Sequence, residues 1–245
     1  MEIAIVGNSE EKRMRDVYDA SQNGSESTLK TLLQQDSLIL HRLSSRRTLL
    51  ETPLHISALL GHLECTRTLL AHCSQLALEL DSFQSTPLHL ASPQGHIHIV
   101  SELLLARGEA CLVRDQEHRI PLHCAVIRGR REVVLELIRA KPESLRLHDD
   151  KGKNIFHLCV MHNHLEILED LVALDTHDTN KLLTEGDSDG NNIHFSFGYR
   201  VEASSDCELP YFNSKDKIRS IELKERHGLY CCRYCSSNSQ RLQEL

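Results

Sequence analysis

The chain has 245 residues, with 28 Lys and Arg against 35 Asp and Glu and a formal net charge of −7. That balance argues against nucleic acid as the main partner, and aromatics at 4% with no Trp leave no platform for stacking bases. No apolar run approaches the roughly 20 residues that a membrane span needs, and residues 1–6 are too short and acidic for a signal peptide.

In chain order, residues 1–11 read as a flexible lead-in and 12–47 as a cap, with Tyr18, Ala20, Gly24 and the apolar pair Leu32-Leu33 in sequence. Four units follow, at about 48–81, 82–115, 116–149 and 150–185. They share one register: His55, His89, His123 and His157 are each 34 residues apart. Thr52-Pro53-Leu54, Thr86-Pro87-Leu88, Ile120-Pro121-Leu122 and Asn154-Ile155-Phe156 lead into them. Six residues past each histidine stands Gly61, Gly95, Gly129 or Asn163, and farther on an apolar pair such as Leu69-Leu70 or Leu103-Leu104. Tyr18 occupies the histidine position of the cap. Residues 186–194 begin a further, degenerate unit, in which Gly190 to His194 is one step shorter than Gly152 to His157. Residues 195–245 read as an irregular or disordered tail with at most a short helix over 218–224.

Each unit spells out two short helices. Thr is an N-cap acceptor, and Pro at N1 loses nothing because that N–H has no intrahelical partner. The glycine ends the first helix and permits a tight turn. A second helix follows over 63–70, 97–105 and 131–138, with Ile97, Val100, Leu103 and Leu104 at helical spacing. Stretches such as Asp81-Ser82-Phe83-Gln84 and Asp115-Gln116-Glu117-His118 are turn material leading to the next unit. Two short helices cannot bury their apolar faces alone, so the units must stack, each on the next.

Period and Thr-Pro-Leu-His pattern together resemble ankyrin repeats. The resemblance implies an all-α ankyrin repeat solenoid of paired short helices with hairpin connections, and protein binding as its function. Residues 16–24, and Glu143-Ser144 with 149–154, further resemble plant ankyrin proteins that continue into a C-terminal transmembrane domain and are linked to defence signalling at the plasma membrane; the expectation here is a relative lacking that domain. This narrower resemblance implies a cytoplasmic chain, or one at the cytosolic face of the plasma membrane through partners. A truncated or altered reading of a longer gene and a genuine short isoform are both compatible with the tail.

The chain holds 9 Cys and 16 His, which raises the question of metal. Cys65, Cys73, Cys111, Cys124 and Cys159 lie at no ligand spacing and read as buried free thiols of a reducing compartment. Cys232 and Cys235 have the spacing of half a zinc site, but no second such pair exists. The ladder histidines are expected to bond backbone groups of adjacent hairpins, since like residues spaced along a rod cannot converge on one substrate. His62, His96 and His164 are expected at solvent-facing turns. No catalytic, cofactor-binding or metal residues are assigned, and no small-molecule ligand is expected. His55, His89, His123, His157, Gly61, Gly95 and Gly129 are assigned structural roles.

The variable positions remain for binding. The fourth and fifth residues past each histidine should face a groove: Leu59 and Leu60, Pro93 and Gln94, Ile127 and Arg128, Met161 and His162. Hairpin residues Arg46, Arg47, Phe83, Gln84, Glu117, His118, Arg119, Lys151 and Lys153 should form its rim. The function expected is a protein-interaction scaffold with a protein partner. The alternatives are a truncated regulatory form pairing with longer membrane-anchored relatives, and an enzyme, for which no polar cluster can be assembled.

Overall fold

A computed structural model describes residues 2–45, 51–174 and 179–192. It divides into two compact units at the Asp149–Asp150 bond. The described residues form α-helices and short 3-10 helices, with no strand among them. Arg46 and Arg47, and the whole tail from 195 on with its cysteines, lie outside the described residues.

The first unit opens with α1 (Glu2–Gln22), α2 (Glu26–Gln35) and α3 (Ile39–Ser45). Where the sequence reading placed a flexible lead-in over 1–11, the backbone is helical from Glu2, continuous with the cap helix. The stretch lacks Pro, and its one glycine, Gly7, costs an interior helix position only about 1 kcal/mol. Three helix pairs follow: α4 (Pro53–Leu60) with α5 (Leu63–His72), α6 (Pro87–Gln94) with α7 (Ile97–Ala106), and α8 (Pro121–Ile127) with α9 (Arg131–Ala140). The first helices of the pairs, α4, α6 and α8, pack side by side as an inner row, behind α1. The second helices, α5, α7 and α9, form an outer row. The core lies between the rows. Leu54, Leu88 and Leu122 enter it from the inner helices and Leu69, Leu103 and Leu137 from the outer ones, all buried.

The outer helices run one or two residues past the ends read from sequence, and each then enters a 3-10 turn: Ser74–Leu78, Gly108–Leu112 and Pro142–Arg146. Apolar periodicity does not mark these turns. Each nevertheless buries a pair of residues at the 34-residue spacing, Leu76-Ala77, Ala110-Cys111 and Ser144-Leu145. The pairs are small or mixed, and the flanking polar residues hide them from a search for apolar periodicity.

The second unit contains α10 (Ile155–Met161), α11 (Leu165–Ala173) and α12 (Thr179–Thr184). α10 and α11 repeat the inner–outer pair, with Ile155, Phe156, Leu168 and Leu171 buried. A full α-helical turn, α12, follows in place of a 3-10 turn and buries Leu182 and Leu183. Its hairpin, Asp187 to Asn191, closes in the form described below although the repeat has lost its spacing, because four extra residues precede it: the left-handed positions Gln84, His118 and Gly152 are 34 apart, but Gly190 is 38 past Gly152.

Candidate functional site

The hairpins come first, because they present backbone groups to the histidines. Asp81 Oδ1 accepts from the backbone N–H of Phe83 and of Ser85, both at 2.8 Å. Asp115 Oδ1 does the same for Glu117 at 2.9 Å and Arg119 at 2.8 Å. The backbone N–H of each Asp also donates across its loop, Asp81 to the Ser85 carbonyl and Asp115 to that of Arg119. Side chain and backbone of one residue thus hold a five-residue loop shut. Within the second unit Asp187 repeats the pattern with Asp189 and Asn191. Successive hairpins of the first unit are joined: Gln116 donates its backbone N–H to the Phe83 carbonyl at 3.1 Å and its side-chain amide to that of Ser82 at 2.7 Å.

Each ladder histidine lies between a helix start and a hairpin. Nδ1 accepts the backbone N–H of the N-cap residue: Thr52 to His55 at 3.2 Å, Thr86 to His89 at 3.1 Å, Ile120 to His123 at 3.3 Å, Asn154 to His157 at 3.3 Å. An accepting Nδ1 places the proton on Nε2, which then donates to a carbonyl: Ser85 at 2.9 Å, Arg119 at 3.1 Å, Leu147 at 3.1 Å and Asn191 at 2.9 Å, in the same order. Imidazole at N3 therefore serves as the reciprocal half of a capping box while tying the helix to a loop. At Thr52 the hydroxyl completes the box by accepting the His55 N–H. Ile120 has no such oxygen, so there the imidazole supplies the only side-chain half of the box. Burial holds His55 and His89 below the usual imidazole range, against hydrogen bonds that act the other way, and takes His123 down to about 4. A neutral ring is what the geometry requires, since a protonated Nδ1 could not accept. Tyr18 takes the place in the cap: its hydroxyl donates to the Glu51 carbonyl at 2.8 Å, and burial, with the Glu51 charge, pushes it up to about 12.

A second ladder runs at the opposite ends of the inner helices, where the sequence suggested only solvent-facing histidines. Both histidines stand at the turns, half-buried, and the turn geometry gives each a partner. Gly61 and Gly95 end α4 and α6 with φ of +86° and +84°, and the next N–H, from His62 or His96, reaches back to Ser57 or Ala91. The ring of His62 lies over Gly24, and its Nε2 meets the Gln22 carbonyl at 3.0 Å. His96 lies over Gly61 and meets Leu59 at 3.2 Å. Arg130, in the same place one unit on, lies over Gly95 and donates Nε to the Pro93 carbonyl at 2.9 Å. Each turn glycine is thus required twice, for its backbone angle and for the ring or guanidinium stacked on its Cα. In the second unit His164 caps α11, and its ring stacks with His162, centroids 6.3 Å apart.

The candidate binding positions fall into two groups by exposure. The fifth residue past each histidine is open in every unit: Leu60 (47% exposed), Gln94, Arg128 and His162. Among the fourth residues, Met161 is open (57%), whereas Leu59, Pro93 and Ile127 are half-buried. At the hairpins Phe83 is 64% exposed, while Arg119 is half-buried and paired with Asp115 and Glu117. The first unit brings Leu60, Gln94 and Arg128 onto three neighbouring inner helices. Met161 and His162 belong to the second unit.

Cys65, Cys111 and Cys159 are buried, while Cys73 and Cys124 are only half-buried. Desolvation pushes the Cys111 thiol up to about 11 and those of Cys124 and Cys159 to about 12, far from a reactive thiolate. Among the described residues no group of three or more His, Cys, Asp or Glu is placed to hold a metal ion, and no helix is long and apolar enough to cross a membrane.

A family model of ankyrin repeats in three copies matches residues 17–115 and 98–182. Comparison with curated proteins finds no match. The family model covers more than half of the chain and agrees with the helix pairs, hairpins and turn glycines above, and on that ground the chain belongs to the ankyrin repeat family, an all-α repeat solenoid.

Proposed function

We propose that this chain is a protein-interaction scaffold, its partner lying along the inner-helix face and against the hairpin rim. Ankyrin repeats generally mediate protein–protein interaction. The observation that supports the surface is the fifth position past each histidine. It is open at the ends of the three inner helices of the first unit, beside a half-buried residue on one side and a turn glycine on the other, and its residue differs each time. A surface free of packing duty is the one that can vary without loss of fold.

Leu60 is a better probe of that surface than Ile127, whose half-buried side chain would confound folding with binding. Once a partner has been captured from the cell extract and identified, Leu60→Asp should leave the circular dichroism spectrum and melting curve unchanged and weaken binding more than about tenfold. Equal affinity of mutant and wild type would remove the surface from consideration. A setting in plant defence, in the cytoplasm or at the cytosolic face of the plasma membrane, rests on the narrower sequence resemblance alone. Fractionation of the tagged chain with and without its partner tests it.

A further inference from the structure

The three open positions of the first unit are not alike. Leu60 on α4 is apolar, Gln94 on α6 is an uncharged amide, and Arg128 at the end of α8 is a cation. Arg128 forms no ion pair among the described residues. Arg130 stands two residues on, its Nε held by the Pro93 carbonyl and its guanidinium likewise without a carboxylate partner among the described residues. Elsewhere in this unit Arg42, Arg67 and Arg119 are each matched with acidic side chains. In a chain of net charge −7, Arg128 at the end of the row and the Arg130 guanidinium, laid back over Gly95 at the end of α6, are two cations without acidic partners among the described residues and form a local reversal of sign.

We propose that this face takes an extended peptide segment of fixed polarity, with an apolar side chain at Leu60 and a carboxylate at Arg128. The proposal rests on the scaffold reading above and adds the chemistry and direction of the partner. Arginine suits a carboxylate because its planar fork can give two parallel hydrogen bonds, and Arg130, held through Nε over the end of α6, adds a second positive charge to the same face. The Gln94 amide between them can pair with the backbone of the segment without preference for charge. Spacing follows from the helices. Neighbouring inner helices pack at about 8–10 Å, so α4 to α8 spans about 16–20 Å. An extended chain advances about 3.3 Å per residue, which puts the carboxylate about five or six residues from the apolar side chain.

The test is selection of a random dodecapeptide phage library on the immobilised full chain. Selected sequences are expected to carry Asp or Glu about five or six residues from Leu, Ile, Met or Phe, in one constant order. Arg128→Glu is expected to replace the selected acid with Lys or Arg, and Arg128→Gln to abolish the preference, with circular dichroism unchanged in both. Peptides that are lost on Leu60→Asp yet show no acidic preference, or ignore both Arg128 variants, would overturn the polarity and leave the scaffold surface standing. Peptides indifferent to Leu60→Asp as well, or no enrichment at all, would overturn the proposal, and indifference to every variant would count against the scaffold surface too.

Discussion

Gly61→Ala isolates the second ladder. At φ of +86° an alanine pays the left-handed penalty of about 1–2 kcal/mol. Its Cβ would also stand 2.8 Å from His96 Cε1 and 3.0 Å from Nε2, closer than side-chain atoms approach one another. That ring is held by its bond to the Leu59 carbonyl, so it must move, and a lost hydrogen bond adds about 0.5–1.5 kcal/mol. The expected loss is therefore about 1.5–3.5 kcal/mol, the sum of the backbone and ring effects. Gly108→Ala is the matched control: its φ is not positive, and nothing lies within 4 Å of the added carbon. It should be neutral or slightly stabilising, because alanine restricts the unfolded chain. Urea unfolding followed by far-ultraviolet circular dichroism measures both, with slopes compared to check that the transition is unchanged in kind. In the Gly61→Ala/His96→Ala double mutant the ring is gone, so the two losses should add to more than the double mutant shows. If Gly61→Ala unfolds at the same urea concentration as Gly108→Ala, or if the two losses are strictly additive, the stacked-ring account is wrong.

The neutral ladder predicts acid sensitivity. His123 titrates near 6.5 when unfolded but about 4 when folded, so its stabilisation is intact above 6.5 and is lost as pH falls toward 4. His55 and His89 shift in the same direction. The urea midpoint should decline across that window, and His123→Gln should flatten the decline while lowering stability at neutral pH; an unchanged pH slope in the mutant would contradict the assignment. Alkylation with N-ethylmaleimide, mapped by peptide mass spectrometry, should leave Cys111, Cys124 and Cys159 unlabelled until urea unfolds the chain, because burial suppresses their thiolates. Rapid native labelling of Cys159 would show that α10 is open to solvent in a way its burial denies.

The 34-residue period determined most of what the sequence could say. Thr-Pro starts, glycine stops and apolar pairs are local signals, each acting within a few residues of itself, so helix pairs and their inner or outer place could be read directly. Tyr18 in the histidine position was legible for the same reason: phase identifies it where residue type does not. The helical start at Glu2 was not, because a cap helix has a polar face and no repeat partner to set its phase.

Tertiary structure alone decided what the side chains touch. Sequence spacing identified His62 and His96 as turn residues, but their partners Gln22 and Leu59 are 40 and 37 residues away and meet them only when one repeat is laid against the next. The 3-10 turns depend likewise on burial beneath neighbouring helices rather than on a strong local pattern. Exposure divided the candidate surface in the same way. Leu59 and Leu60 are adjacent and identical in type, yet one is half-buried and the other open, because a helix turns about 100° per residue and only its packing fixes which direction faces solvent.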